Sequence, residues 1–156
     1  MAGSPAVVVG AGPNGLAAAV ALAREGLEVT VHEAADRIGG GTRTEELTLP
    51  GFLHDVCSAV HPMGAGSPFF REIGLEAHGV EWIHPPVPLA HPFDDGTAAV
   101  LVRSTAETGA SLGPDARAYQ RLMDPFVRHW DPLLREALAP PLHVPKRPLL
   151  LSLIHI

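Results

Sequence analysis

An α/β chain built on a parallel sheet is predicted by three features near the start of the sequence. A short run of small and β-branched residues, Ala6-Val7-Val8-Val9, is bounded by Pro5 and Gly10. An Ala- and Leu-rich stretch with no internal proline follows over residues 14–25. A second β-branched run, residues 27–32, comes one short turn later. Strand, helix and strand at this spacing read as a βαβ unit, the building block of parallel sheets.

The first strand is apolar without alternation, as expected of a strand covered on both faces of a parallel sheet. The helix over residues 14–25 has Gly26 where a left-handed cap belongs. Val29, Thr30 and Val31 supply the β-branched character of the second strand. Beyond Glu33 the character changes, because Gly39-Gly40-Gly41 cannot continue a helix and Pro50-Gly51 marks a turn. Ser67 followed by Pro68 reads as an N-cap and first helical residue, with Gly74 as the stop, predicting a short helix over residues 68–73. Residues 89–93 and 98–102 flank Asp94-Asp95-Gly96-Thr97, a hairpin signal and the sign of a second sheet.

Between residues 114 and 138, Leu122, Phe126, Trp130, Leu134 and Leu138 fall at a helical spacing of four. Asp124-Pro125 and Asp131-Pro132 interrupt it, and each pair suits a cap and first-turn proline, so kinks or short successive helices are expected. This stripe, with Trp82, Phe93 and Trp130, is assigned to the core of a second domain. From Pro140 the chain is proline-rich. Residues 151–156, Leu-Ser-Leu-Ile-His-Ile, fit nothing before them and are what translating the end of a sequencing-library transposase adaptor yields. A truncated gene with an artificial terminus is expected there.

Composition narrows the function. The 156 residues are 46% apolar, enough for a soluble globular core. The formal charge is −6, with the acidic residues scattered, so no basic footprint points to nucleic acid or an anionic membrane surface. The apolar stretch over residues 17–23 falls far short of the ~20 residues of a transmembrane helix, and no signal segment opens the chain; a cytoplasmic protein is expected. The single cysteine, Cys57, excludes both an internal disulfide and a paired-cysteine redox centre.

Chemistry concentrates in Gly10-Ala11-Gly12-Pro13-Asn14-Gly15, directly after the first strand and opening the first helix. Gly10 permits the tight turn, Gly12 lets a pyrophosphate approach the backbone, and Gly15 lets helix and strand pack closely. The helix start offers unpaired N–H groups and the positive end of its dipole. Glu33 lies at the end of the second strand, where a carboxylate accepts hydrogen bonds from an adenosine ribose and repels a 2′-phosphate, disfavouring NADP. The site is that of a Rossmann-like FAD/NAD(P)-binding domain. FAD and NAD share the adenosine diphosphate half, so the loop alone does not choose between them.

The segment Glu33-Ala34-Ala35-Asp36-Arg37-Ile38-Gly39-Gly40-Gly41-Thr42-Arg43-Thr44 resembles the second glycine motif of the flavoprotein superfamily that includes amine oxidases and phytoene desaturases. Arg37, Gly39, Gly40 and Thr44 match its usual positions. The departure is Gly41, where amine oxidases usually carry arginine; Arg43 stands two residues on as a substitute. Residues 51–62 resemble the desaturase-related branch near the bacterial relatives of pyridine nucleotide-disulfide oxidoreductase domain-containing protein 2, which lack the redox cysteines as this chain does.

The resemblance implies FAD as the cofactor. With the residue-based reading it gives a candidate cofactor-binding set of Gly10, Gly12, Pro13, Asn14, Gly15 and Glu33, then Ala34, Arg37, Gly40, Gly41, Thr42 and Ser58. It also makes Ser58, Ala59 and His61 neighbours of the flavin ring. No catalytic residue or metal site is assigned: His61 has no partner carboxylate in the sequence pattern, and Cys57 reads as a packing residue.

The implied architecture is an incomplete FAD/NAD(P)-binding domain over residues 1–66, the start of an inserted α+β substrate domain over residues 67–150, and adaptor-derived residues 151–156. The implied function is an FAD-dependent oxidoreductase of desaturase or dehydrogenase type, transferring hydride from an apolar small molecule to FAD; the chain as it stands is expected to be inactive. A flavin amine oxidase is the alternative enzyme. A regulator of the GTPase dissociation-inhibitor type is the non-enzymatic alternative, though its degraded glycine loop contrasts with the intact one here. Peripheral membrane contact and oligomeric state are left open.

Overall fold

β-Branched residues are stiff at χ1 and favour extended backbone, and Pro5–Val9 forms strand β1. In the computed structural model, which describes residues 3–151 except 141, 143 and 147, β1 lies parallel to β2, Glu28–His32. The register runs from Pro5 opposite Glu28 to Val9 opposite His32. Helix α1, Pro13–Arg24, makes the crossover and stops at Gly26, whose φ of +83° is the left-handed cap read from the sequence.

Coverage of this sheet differs from expectation. Exposure alternates along β1, with Val7 63% and Val9 85% exposed, whereas Val8 faces the Gly15 turn of α1. The sequence predicts cover on both faces; among the described residues one crossover helix packs on one face only. A second two-stranded sheet follows, β3 (Thr44–Glu46) antiparallel to β4 (Leu53–Asp55), joined through the turn at Gly51. These elements make up the first of two structural units, Met1–Pro62; the second is Met63–Ile156.

The second unit opens with two short helices, α2 (Pro62–Gly66, its first residue in the first unit) and α3 (Pro68–Ile73). Ser67 Oγ accepts from Phe70 N–H and Gly74 takes the left-handed stop, so α3 spans the expected residues. Helix α2 has no counterpart in the sequence reading: its five residues include two glycines and carry no cap signal. The hairpin forms as predicted, β5 (Leu89–Pro92) antiparallel to β6 (Ala98–Leu101), its turn held by Asp95 Oδ1 accepting from the Thr97 N–H and hydroxyl. Helix α4, Thr105–Ser111, follows, capped by Ser104.

Two helices replace the long stripe, α5 (Ala116–Arg128) and α6 (Trp130–Ala137); a single turn, α7 (Pro148–Leu151), ends the described chain. The break falls at His129 and not at Asp124-Pro125, which lies inside α5. Asp124 sits within α5, where its Oδ1 accepts from the Thr105 hydroxyl at 2.7 Å. Pro132 sits in the first turn of α6, where its missing N–H costs nothing. The five-residue stripe does not share one face. It is divided between α5, with Leu122 and Phe126, and α6, with Trp130 and Leu134, and within each a spacing of four drifts about 40° per step. Leu134 is accordingly buried while Leu122, Trp130 and Leu138 are more than one-third exposed. Phe93 is also exposed and Trp82 half-buried with its N–H on Glu76, correcting their assignment to a core. The core lies instead around Leu133 and Leu134, where a Cβ on Gly66 would run into Leu134. Residues 152–156 of the expected adaptor tail lie outside the described residues.

Candidate functional site

The three glycines of the first loop stand in three different situations. Gly10 has φ of +96°, open only to glycine without strain, and its N–H continues the ladder to His32 O at 2.7 Å. A Cβ on Gly15 would collide with the Gly10 carbonyl oxygen, so bareness there serves the packing of α1 on β1. Gly12 is different. Its φ of −75° and ψ of 175° suit any residue, and a Cβ would meet nothing closer than the Gly40 Cα at 3.8 Å. Neither backbone nor packing demands glycine at this position, which fits a chain that keeps the space for a ligand.

Gly12 is also the N-cap of α1 and brings no side chain to its first-turn N–H groups. Pro13 occupies the first helical position, where it has no N–H to leave unpaired, and Asn14 is exposed. Open donors and the positive dipole end therefore stand beside the unfilled side of Gly12.

The peptide of Ala11 ties this loop to two distant segments. Ala11, 1% exposed, donates its N–H to Glu33 Oε2 at 2.7 Å, and its carbonyl accepts from Gly39 N–H at 2.8 Å. Glu33 Oε1 accepts from Ala35 N–H at 2.9 Å. The N–H groups of Ala35 and Ala11 hold the Glu33 carboxyl below the usual carboxylate range, with Ala34 N–H and the charge of Arg43 adding to them. Glu33 therefore stays ionised. Through the Gly39 bond the second glycine segment lies on the first, with Gly40 at φ +54° and so close that a Cβ on it would sit 3.0 Å from the Gly12 Cα.

From there the strip runs on through main-chain bonds. Thr42 N–H and hydroxyl both donate to Gly39 O, at 3.0 and 2.7 Å. Ser58 N–H donates to Gly41 O and Val56 N–H to Arg43 O, each at 2.9 Å, extending the β3–β4 ladder to the glycine segment. Gly12, Gly40, Gly41, Thr42, Glu33 and Ser58 are thus joined in one continuous piece. Ala34 and Arg37 are exposed beyond Glu33.

Ser58 Oγ and His61 Nδ1 lie 3.3 Å apart, a partner for His61 that the sequence pattern did not show. Cys57 is exposed, correcting its reading as a packing residue; a Cβ on Gly41 would lie 3.6 Å from its Sγ. Sequence reasoning missed Ala11, Ala35 and Gly39 as the main-chain ties of the site. Only the placing of Ala11 between two glycines hinted at its burial. Among the described residues, no group of three or more His, Cys, Asp or Glu is arranged to hold a metal ion, and no helix is long and apolar enough to cross a membrane.

Residues 8–73 match the family of NAD(P)-binding Rossmann-like domains. A limonene dehydrogenase chain of Castellaniella defragrans is 39% identical over 120 residues, covering 74% of this chain and 22% of that protein. Pyridine nucleotide-disulfide oxidoreductase domain-containing protein 2 of Mus musculus is 34% identical over 127 residues, 79% of this chain and 20% of its own. Hydroxyneurosporene desaturase of Cereibacter sphaeroides is 33% identical over 144 residues, 84% of this chain and 28% of its own. The chain thus spans between a fifth and under a third of the length of these curated relatives.

Proposed function

We propose that the whole protein is an FAD-dependent oxidoreductase of the superfamily that includes phytoene desaturases and amine oxidases, acting on a small apolar molecule, a reading supported by the Rossmann-like match and the relatives above. The observation that carries this is the Ala11 peptide bound on one side to Glu33 and on the other to the second glycine segment, beside the bare flank of Gly12. FAD, when bound, supplies acceptance of the hydride and needs few protein acids or bases to do so. The chain's own residues do the rest. Gly12 and the open start of α1 receive the diphosphate, Glu33 accepts from the adenosine ribose, and Gly40, Gly41 and Ser58 continue the cradle toward the flavin.

Two relatives are named for a limonene dehydrogenase and a hydroxyneurosporene desaturase, both with apolar substrates, which favours desaturation or dehydrogenation over amine oxidation. The substrate domain begins within the second unit, the protein is cytoplasmic, and its partner is the small molecule itself. An intact Gly10–Gly15 loop with Glu33 ionised argues against a dissociation-inhibitor-like regulator.

The test is to purify the complete protein and record its visible spectrum, then add candidate terpenoid and amine substrates under anaerobic conditions. Bound flavin that bleaches with an apolar substrate supports the reading. A colourless protein that takes up no FAD on reconstitution overturns it, and bleaching by amines alone moves it to the oxidase alternative.

A further inference from the structure

Arg43 is a side-chain cation bonded directly to the backbone strip of the candidate site. Its Nε donates to the Gly40 carbonyl at 3.0 Å, which pins the guanidinium beside the place where Gly40 rests on Gly12. Its Nη1 stands 3.3 Å from Glu45 Oε1, and its charge also reaches the Glu33 carboxylate. Positions 43 and 45 lie two apart at the start of β3, on the same side of extended backbone. One guanidinium is thus paired with the Glu45 carboxylate at the edge of a cradle read above as taking a dinucleotide.

Electrostatics decide what this arrangement favours. The Arg43–Glu45 pair is loose at 3.3 Å and about one-quarter exposed on each side, a class of ion pair that adds little net stability and is readily exchanged. A diphosphate offers the same guanidinium more charge and oxygens spaced for its planar fork. Arg43 also retains donors beyond the two already engaged, since a guanidinium has five. Glu45, by contrast, repels any anion arriving on the strip.

We propose that Arg43 and Glu45 form a charge latch on this cradle: Arg43 exchanges Glu45 for the diphosphate of a bound dinucleotide while keeping its bond to Gly40. Glu45 is then a built-in competitor that lowers affinity and eases cofactor release, and Arg43 is a binding residue of the second glycine segment. The inference rests on the dinucleotide reading of the site.

The experiment uses the full-length protein stripped of flavin, with FAD affinity read by fluorescence quenching over a series of salt concentrations. Arg43→Gln is expected to weaken FAD roughly tenfold to a hundredfold and to flatten the salt dependence. Arg43→Lys should recover part of both. Glu45→Gln should tighten FAD about two- to fivefold, and by less when combined with Arg43→Lys, a dependence on position 43 that charge removal alone does not produce and that remains readable if Arg43→Gln fails to fold. Unchanged FAD affinity in Arg43→Gln, or no tightening in Glu45→Gln, overturns the latch while leaving the flavoprotein reading intact. Wild-type protein that binds no FAD overturns that reading and the latch with it.

Discussion

In the second unit, α3 and α4 close their own starts: Ser67 Oγ accepts from Phe70 N–H and Ser104 Oγ from Glu107 N–H. In the first unit, α1 begins at Gly12, which has no side chain to offer, and follows it with a proline. The contrast extends to packing. The second unit buries Leu133 and Leu134, large side chains that exclude water, whereas the buried residues of the first are Ala11 and Ala19. Two helices of the second unit cap their starts with a serine, although α5 and α6 begin without a side-chain cap; α1 of the first unit leaves both its start and the flank of Gly12 bare. The difference teaches where to expect a mutation to act on folding and where on binding.

The sharpest way to break this contrast lies inside the first unit. Gly15→Val drives a Cβ into the Gly10 carbonyl, so the fold itself should fail, by about 3 kcal/mol or more in urea unfolding of the full-length protein. Wild-type stability in that variant would show that α1 does not pack on β1 as described. Gly12→Ser is the complementary case. Its backbone accepts serine, the nearest atom to the new Cβ is 3.8 Å away, and the hydroxyl supplies a missing cap, so stability should change by only a few tenths of a kcal/mol. FAD affinity should nevertheless fall by at least an order of magnitude, because the added atoms fill the ligand's side of the loop. Equal losses of stability and affinity would erase the distinction between the two glycines.

Glu33→Ala removes the proposed ribose acceptor and the partner of Ala11 together. FAD affinity should drop roughly tenfold to a hundredfold, and amide hydrogen exchange at Ala11 should quicken even without flavin. The pH dependence has a definite sign. The folded carboxyl titrates below its ordinary value, so its support is complete above the ordinary carboxylate range and is lost as pH falls through the lower folded value. FAD retention limited by Glu33 should stay level from neutral pH down to that range and decline only beneath it; a decline centred near neutrality would point to another group. The smallest effect belongs to the second unit, where Ser104→Ala should cost about 1 kcal/mol of stability and leave FAD affinity untouched.

What could be read from the sequence follows the range of the forces involved. The βαβ unit, the 68–73 helix and the Asp94–Thr97 hairpin turn are announced by residues adjacent to them, such as Gly26, Ser67 with Gly74, and Asp95 with Gly96. Helix α4 had the same kind of announcement in Ser104 and Glu107, a serine and a glutamate three apart, and was overlooked. The helical stripe misled because spacing alone does not reveal a break at His129, where neither a proline nor a capping side chain announces it. The candidate residues at Gly10, Gly12, Gly15 and Glu33 were legible as a pattern. Their joining was not, since the Glu33–Ala11 and Gly39–Ala11 bonds link positions 22 and 28 residues apart and Ala11 takes part in both only through its main-chain N–H and carbonyl, which are common to every residue type.

Those two spans also bear on how the protein is made. Both bonds of the Ala11 peptide close within the first 39 residues, so neither waits for any part of the second unit to be synthesised. Ribosomes add roughly 5–20 residues per second, whereas loops of this size close on far shorter timescales. Once residue 39 clears the exit tunnel, the first turn of α1 can be tethered to the glycine segment while the rest of the polypeptide is still being translated.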